Sequence, residues 1–169
     1  MIDAINLLAL ILPGSPVIQQ GDELGVADAI LEWASNSHCW PNAQTASSAP
    51  FPWDDTPNAG FTSGEPWLPL APNYRYANAK SEYANDLSHL GAMRVAAALR
   101  KSPAFGPHVE IKRINGAIAV LRWGGQGSLL LITNVAKDIS EFQISKIPGL
   151  PTELTVAASS GGSSLSISS

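Results

Sequence analysis

The most constraining feature of this chain is a long stretch, from Gly21 to Asn85, that shows almost no hydrophobic periodicity. Only residues 27–33 contain a pattern typical of a helical turn. Loops of this length are unusual inside compact domains, and those that occur commonly carry function. The chain is therefore expected to fold as regular elements around one long, structured loop.

Regular structure is predicted directly before this loop. Residues 1–12 carry an apolar helical pattern that ends at Pro13-Gly14. "PVIQQ", residues 16–20, is a short apolar run typical of a single buried strand. Helix followed by strand is the order found in α/β proteins, whose ligand sites gather in the loops after the strands' carboxyl ends.

After the loop, the pattern is first helical and then changes to strands. A helix is predicted over 88–101, with Asp86 or Ser88 as its N-cap and Pro103 ending it. Six short β segments follow, and the hairpin signal Asn115-Gly116 separates the first two. They are "HVEIKRI", "AIAVLRW", "SLLLITNVA", "EFQIS", "ELTVAAS" and "SLSIS". This pattern indicates an antiparallel sandwich or barrel-like module, and we predict two domains, residues 1–103 and 104–169.

Composition excludes several classes of protein. Hydrophobic residues make up 45% and charged residues 14% of the 169 positions, which is typical of a packed globular protein. A net charge of −4 gives no electrostatic surface for nucleic acid. The apolar run from Ile5 to Leu12 is too short to span a bilayer and lacks the basic segment of a signal peptide. The single Cys39 is either a free thiol or half of a bridge to residues outside the chain.

Adjacent acids at Asp22-Glu23 form the first candidate site. Neighbouring side chains in an extended segment point to opposite sides, so these two are not expected to act on one bond. A structural role, in which Asp22 accepts backbone hydrogen bonds and Glu23 faces solvent or forms a salt bridge, is as good an interpretation as a role in binding a ligand. His38 and Cys39 fall short of the four ligands of a structural zinc site, and no metal site is predicted.

A second acidic pair, Asp54-Asp55, lies in "WDDTPNAGF". Its Asp, Pro, Asn and Gly residues are typical of a multiple turn, so we interpret it as a structural loop rather than a catalytic or cation site. Trp53, Asp54, Asn58 and Phe61 define this loop, with the two aromatic rings predicted as its apolar anchors.

Aromatic residues are dense throughout the long loop. Sugars stack on such rings, but loops without secondary structure also use them as a core of their own. We favour the core role for the set as a whole, and we predict that Trp33 and Trp40 face a ligand. The set comprises Trp33, Trp40, Trp53, Trp67, Tyr74 and Tyr76.

Two longer motifs carry a resemblance to a known family. "LPGSPVIQQGDELG", residues 12–25, and "PFPWDDTPNAGFTSGEPWLPLAPNY", residues 50–74, closely resemble the α-glucosidase branch of glycoside hydrolase family 13, which includes maltases and oligo-1,6-glucosidases. "LSHLGAMRVAAALRKSPAF", residues 87–105, is also similar to that branch. The resemblance is dense over residues 3–105.

The resemblance implies an α/β plus all-β fold, the C-terminal portion of a TIM (β/α)8 barrel followed by an antiparallel β-sandwich domain. Residues 1–12 would belong to the seventh barrel helix, 16–20 to the eighth strand and 88–101 to the eighth helix. The loop between Gly21 and Asn85 would then lie on the catalytic face. A chain that begins within a helix is expected to be the C-terminal part of a longer protein.

The resemblance also implies a function. Retaining glycosidases use two carboxylates, and in this family those residues lie on earlier strands, so no catalytic residue is expected within this chain. Asp22, Glu23, Trp33 and Trp40 are the candidate residues for binding an α-glucoside substrate. No cofactor is implied. The resemblance implies a secreted or membrane-anchored extracellular protein.

One departure from the family pattern keeps a second function open. Where the family has Arg-Thr-Pro-Phe-Gln-Trp, this chain has Ser48-Ala49-Pro50-Phe51-Pro52-Trp53. Serine cannot supply the fork of charged donors that the arginine provides, which predicts poor maltose hydrolysis. The same branch contains the rBAT-like heavy subunits of amino-acid transporters, which pair with a light chain and need not hydrolyse sugar. A non-catalytic ectodomain of that kind is the alternative, and a gene fragment without function is a third.

Overall fold

The computed structural model describes residues 1–33, 43–114, 116–135, 144, 147, 150 and 153–160. The chain divides into two compact units. Unit 1 contains Met1–Val17 and Ala92–Ser169, and unit 2 contains Ile18–Gly91. The boundary that the sequence suggests at residue 103 stays a prediction.

The described helices and strands are short and are joined by extensive loops. The helices are α1 (Ile2–Ile11), α2 (Ala43–Ala46), α3 (Ala79–Tyr83) and α4 (His89–Arg100). The strands are β1 (His108–Ile114), β2 (Ala117–Trp123) and β3 (Leu129–Asn134), and 3₁₀ turns cover Asp22–Leu24, Leu31–Trp33 and Pro57–Gly60. In the ranges that the structure describes, no helix combines the length and the apolar character that crossing a bilayer requires.

The predicted first helix is confirmed as α1. It ends because Leu12 takes an extended conformation, with φ −65° and ψ 154°, as residues before proline commonly do. Leu10 and Ile11 are buried, whereas Ile5 is 58% exposed. The apolar surface of α1 is therefore only partly buried.

The predicted strand over 16–20 is wrong. Residues 15–19 form no strand, and Val17 is 92% exposed. A strand needs a neighbour to accept and donate its backbone hydrogen bonds, and no described residue forms a ladder with this segment. The apolar run predicted a buried strand here, but a strand is formed and buried only when a neighbouring strand pairs with it.

The predicted second helix is confirmed as α4, with Ser88 as its N-cap. The Ser88 hydroxyl oxygen accepts a bond from the Gly91 amide at 3.1 Å, and the hydroxyl donates to the Glu82 carbonyl at 2.7 Å. The Glu82 carboxylate accepts from the Leu90 amide at 3.1 Å. Two of the free donors at the start of the helix are thus satisfied by side chains.

The sheet is antiparallel with the order β1-β2-β3. Ile114 pairs with Ala117 across a two-residue loop, and Gly116 has φ 89°, so the predicted hairpin is confirmed, although Asn115 itself lies outside the described residues. The central strand is the most buried, with Val120 fully inaccessible.

Three of the six predicted β segments therefore form strands. The segment 153–159 was predicted as a strand and is not one, and its Leu154 and Val156 are 42% and 54% exposed. Alternation alone does not create a strand when no buried face receives the apolar side chains. The segments 141–145 and 164–168 lie outside the described residues, apart from Ile144.

Two arginines bind the C-terminal end of α1 within unit 1. Arg122, on β2 and only 5% exposed, donates to the Ile11 carbonyl at 2.7 Å and to the Gly106 carbonyl. Arg100, at the end of α4, donates to the carbonyls of Leu10, Leu12 and Gly14. The arginines thereby give donors to two carbonyls of the last turn of α1, those of Leu10 and Ile11, which lie where a helix leaves its carbonyls without an internal partner.

An aromatic ring lies beside both guanidinium groups. The Arg122 guanidinium carbon lies 4.2 Å, and that of Arg100 5.4 Å, from the centre of the Phe105 ring. Burial lowers the pKa of Arg122 from its ordinary value, and the neighbouring Arg100 lowers it further. Carbonyl dipoles and the ring face compensate two nearby positive charges.

Replacement of Arg122 should destabilise unit 1 strongly. Arg122→Met keeps much of the apolar stem but leaves the Ile11 and Gly106 carbonyls without their charged donor. We expect a loss of about 3 kcal/mol in the free energy of unfolding, since hydrogen bonds to charged groups contribute about 1.5–3 kcal/mol each. Urea denaturation followed by circular dichroism measures it.

Arg113→Met is the matched control, because Arg113 is an exposed residue of β1. Its effect should stay within about 0.5 kcal/mol. Equal effects of the two substitutions would show that the α1 carbonyls do not depend on Arg122.

Candidate functional site

The long loop, in unit 2, packs around small side chains. Ala29, Ala49 and Ala71 form a buried cluster, against which Val26 and Leu31 pack. Small residues let backbone segments approach closely, as shown by the Ala29 amide, which donates to the Ala46 carbonyl at 2.9 Å. The loop is thus held largely by backbone and side-chain hydrogen bonds.

Asp22 and Glu23 lie in a 3₁₀ turn, not in the extended segment that the sequence suggests. Gly21 and Gly25 flank this turn with φ 99° and 64°, a region that glycine adopts without strain. Each acid caps a nearby amide: Asp22 accepts from Gln19 at 3.0 Å and Glu23 accepts from Gly21 at 2.8 Å. The turn holds both carboxylates in a fixed local geometry.

A distant asparagine fixes the end of this turn. Asn73 donates from its side-chain amide to the Gly25 carbonyl at 2.9 Å and accepts from the Ala27 amide at 3.0 Å. A Cβ on Gly25 would lie 2.6 Å from the His89 ring, so that ring packs closely over Gly25. We call Asn73 with Gly25 and Ala27 the asparagine clamp.

No role for Asn73 was predicted from the sequence. The available signal was a single asparagine in "APNY", a side chain able to donate and accept at once. Its partners lie 46 and 48 residues away in sequence, so no local pattern reveals them.

Loss of the asparagine clamp should loosen the acidic turn. Asn73→Ala removes both hydrogen bonds, and we expect the region to lose about 1–3 kcal/mol of local stability. Hydrogen exchange of the Ala27 amide, measured by NMR, should accelerate about tenfold or more.

Asn85→Ala is the control for this variant. The Asn85 side chain accepts only a local bond that the structure records, from the Leu87 amide at 3.0 Å. Exchange at Ala27 should not change in that variant, and unchanged exchange in Asn73→Ala would contradict the clamp.

The segment "WDDTPNAGF" folds as consecutive tight turns. The Ala59 carbonyl accepts from the amides of Trp53 and Asp54, at 2.9 and 3.2 Å. Asn58 and Ala59 both have positive φ, 58° and 55°, which is uncommon for residues with a side chain. The Asn58 amide donates to the carbonyls of Thr62 and Gly64, at 3.2 and 2.8 Å.

The predicted apolar anchors of this loop are wrong. Trp53 is 56% and Phe61 41% exposed, whereas Pro52 and Ala59 are buried. The wider expectation of an aromatic core also fails for Trp67 and Tyr76, which are 67% and 72% exposed. The backbone bonds of the turns hold the loop, so large rings are not required inside it.

Asp54 is the most strongly fixed carboxylate of this loop. It accepts from the Thr56 hydroxyl at 2.5 Å and from the Thr56 amide at 2.9 Å. These bonds, with a smaller contribution from Lys80, lower the pKa of Asp54 from its ordinary value of 3.8. Gly60 has φ 64°, and a Cβ there would lie 2.8 Å from this carboxylate, so a larger residue would be strained and would displace Asp54.

The pKa of Asp54 should respond to Thr56. Because the pKa is lowered in the folded chain, the stabilisation is present above the unfolded value and is lost as the pH falls through the folded value. Thr56→Ala should raise the pKa toward 3.8, whereas Thr56→Ser should leave it low. Carboxyl ¹³C titration by NMR measures it, and an unchanged pKa in Thr56→Ala would contradict this cause.

The remaining predicted residues are placed as follows. Trp33 ends a 3₁₀ turn, but its side chain lies outside the described residues, as do Trp40, His38 and Cys39. The structure thus brings Asp22 and Glu23 together and leaves the two tryptophans untested. Within the described ranges, no group of three or more His, Cys, Asp or Glu residues could hold a metal ion.

Comparison with known proteins identifies a family. The family model described as "Alpha amylase, catalytic domain" matches residues 1–106. Maltase A1 of Drosophila melanogaster is 29% identical over 172 residues, covering 94% of this chain and 30% of its own length. Alpha-glucosidase of Apis mellifera is 28% identical, covering 90% of this chain and 29% of its own length. The chain therefore spans about 30% of the length of these relatives.

Solved structures give the same result. The alpha-glucosyl transfer enzyme XgtA is 30% identical with a TM-score of 0.65, covering 79% of this chain and 27% of its own. Isomaltulose synthase from Klebsiella sp. LX3 is 26% identical with a TM-score of 0.63, at 79% and 29% coverage. The structural neighbours are TIM-barrel enzymes, and the resemblance predicted from the motifs is confirmed.

Proposed function

Because the chain belongs to glycoside hydrolase family 13, the alpha-amylase family, we propose that it is the C-terminal part of a maltase-type α-glucosidase. In this proposal residues 1–103 complete a (β/α)8 barrel, and residues 104–169 form an antiparallel β domain. The family match over residues 1–106 carries the proposal, and the names of the relatives support its substrate class.

The reaction proposed for the intact protein is the retaining hydrolysis of a terminal α-linked glucose. Such a reaction needs a carboxylate nucleophile and a carboxylic acid about 5–5.5 Å apart. We place both outside this chain. The motif resemblance supports this placement, because it implies that the catalytic carboxylates lie on strands earlier than residue 1 of this chain.

The proposed role of the acidic turn is substrate binding. The Glu23 carboxylate accepts the Gly21 amide with one oxygen, and its other oxygen can accept from a sugar hydroxyl. The asparagine clamp and the two flanking glycines fix the direction of Asp22 and Glu23, which reduces the entropy lost on binding. Trp33 and Trp40 remain proposed stacking partners of the sugar.

Ser48 weakens this function in our proposal. Ser48 is exposed, and its amide donates to the Thr45 carbonyl at 3.1 Å. A serine hydroxyl offers one donor, whereas the arginine of the family pattern offers five in a fixed fork. The protein is therefore proposed to hydrolyse maltose poorly.

A chimera tests both the α-glucosidase proposal and the proposed effect of Ser48. This chain replaces the matching part of Maltase A1, and maltose hydrolysis is measured as kcat/KM. We expect activity above background but at least about tenfold below that of Maltase A1, because one charge-assisted hydrogen bond contributes about 1.5–3 kcal/mol. Ser48→Arg should recover about tenfold or more.

Ser47→Arg is the control, since it adds the same charge one position away. No recovery is expected from it. A folded chimera without any hydrolysis would contradict the α-glucosidase proposal, and full activity without Ser48→Arg would contradict the role of Ser48.

Ser48 also favours the second candidate, a non-catalytic ectodomain of an amino-acid transporter heavy subunit. Such a protein would retain the folded barrel without requiring the arginine. Association with a transporter light chain, together with an inactive folded chimera, is the result expected from this candidate.

A further inference from the structure

Strand β1 forms one edge of the sheet in the part of the chain that the structure describes. The sheet order is β1-β2-β3, and no described residue forms a ladder on the other side of β1. Alternate residues of an edge strand leave their backbone N–H and C=O groups without a partner in the sheet, so a further strand can pair there. The outer side of β1 is called the β1 edge below.

The β1 edge lacks two of the features by which natural edge strands avoid further pairing. β1 pairs one to one with β2 over its whole length, His108–Ile114, so it contains no bulge. It also contains no proline. Ile111, in the middle of β1, is 57% exposed, although its cross-strand partner Val120 is fully buried. The backbone of β1 is therefore regular enough to pair with another strand.

Charges of opposite sign follow one another along one face of β1. Glu110 and Lys112 are two residues apart, so both lie on one face of the sheet and Ile111 lies on the other. The Lys112 ammonium lies 2.8 Å from the Glu110 carboxylate, and these side chains are 32% and 42% exposed, respectively. Both charges can therefore interact with a strand that arrives at the β1 edge.

The sequence of β1 is complementary to itself in the antiparallel direction. When two copies of β1 pair about a two-fold axis through Ile111, Glu110 of each copy lies opposite Lys112 of the other. Each carboxylate then has one ammonium beside it on its own strand and one on the facing strand. On the other face of the sheet, the two Ile111 side chains lie opposite each other and cover apolar surface.

Charged residues at a strand edge commonly prevent pairing, but here they select a register. An axis through residue 110 would place the two Glu110 carboxylates opposite each other. An axis through residue 112 would do the same with the two Lys112 ammonium groups. Like charges directly opposite destabilise a strand pair and opposite charges stabilise it, so the register centred on Ile111 is favoured over both neighbours.

We propose that the β1 edge, through residues 109–113, binds the β1 edge of a second copy of this chain in an antiparallel dimer centred on Ile111. Two three-stranded sheets then join edge to edge. Because both copies use the same edge, association ends at the dimer. One pair of strands buries less than the roughly 1,200 Å² at which stable interfaces begin, so the dimer is weak and depends on concentration.

Sedimentation equilibrium of the full chain, from micromolar to millimolar concentration, tests this dimer. We expect a reversible equilibrium between monomer and dimer. Glu110→Lys and Lys112→Glu should each raise the dissociation constant at least about tenfold, because each substitution places like charges opposite each other at both symmetry-related positions.

An equimolar mixture of these two variants tests the register itself. Positions 110 and 112 are both positive in Glu110→Lys and both negative in Lys112→Glu, so opposite charges face each other again in a mixed dimer. The mixture should dimerise with a dissociation constant within about threefold of that of the unchanged chain. The chain that carries both substitutions should also regain self-association. Recovery in the mixture would further show that each variant is folded.

Lys101→Glu is the matched control, because it reverses a charge at an exposed position of unit 1 outside β1. Its dissociation constant should equal that of the unchanged chain. Equal weakening in Lys101→Glu and in Lys112→Glu would show that net charge, rather than the facing of charges at the β1 edge, governs association.

Three further results would overturn the dimer. A chain that stays monomeric at millimolar concentration would show that its β1 edge does not bind a second copy. Association that persists unchanged in both single variants would place the interface elsewhere. Failure of the mixture to associate would contradict the register centred on Ile111. None of these results depends on maltose hydrolysis, so the proposed function is tested separately by the chimera.

Discussion

Unit 1 depends on two arginines that bind the C-terminal carbonyls of α1. That helix carries no basic residue in its own last turn, so its negative end must be compensated from elsewhere in the unit. Arg100 comes from α4 and Arg122 from β2, and they donate to the α1 carbonyls of Leu10 and Ile11. Burying Arg122 is unfavourable by itself, and the carbonyls together with the Phe105 face make it tolerable. One pair of side chains therefore joins a helix, a second helix and a sheet.

In unit 2, backbone groups outside regular structure are hydrogen-bonded by asparagine and aspartate side chains, where unit 1 uses arginine. A long loop must satisfy its backbone donors and acceptors without regular ladders. Asn73, Asn78 and Asn58 each bond backbone groups through their side chains, and Asp54 does so at Thr56. Because these hydrogen bonds are made to backbone groups of turns, they hold the acidic turn and the loop of residues 53–61 in place.

Local sequence patterns correctly predicted the features that depend on residues close together in the chain. The end of α1, the Ser88 cap of α4 and the first hairpin each depend on residues within a few positions of one another, and they are confirmed. The predicted strand over 16–20 and the one over 153–159 fail, because a strand exists only if another segment pairs with it. Neither the exposure of Trp53 nor the asparagine clamp could be predicted from the sequence. Both depend on the whole unit, because solvent contact and long-range hydrogen bonds involve residues far apart in the chain. Family membership could be predicted from the sequence, because long motifs are recognised by the order of their residues, without knowledge of how those residues pack.

The surroundings of Asp54 differ from those of a general acid. A general acid at neutral pH needs a raised pKa, which comes from burial or from a neighbouring carboxylate. Asp54 shows the opposite: hydrogen bonds from Thr56 lower its pKa and keep it ionised. The Asp54 carboxylate thus acts locally, as the acceptor that holds the turn at Thr56. Asp54 therefore lacks the surroundings that a general acid requires.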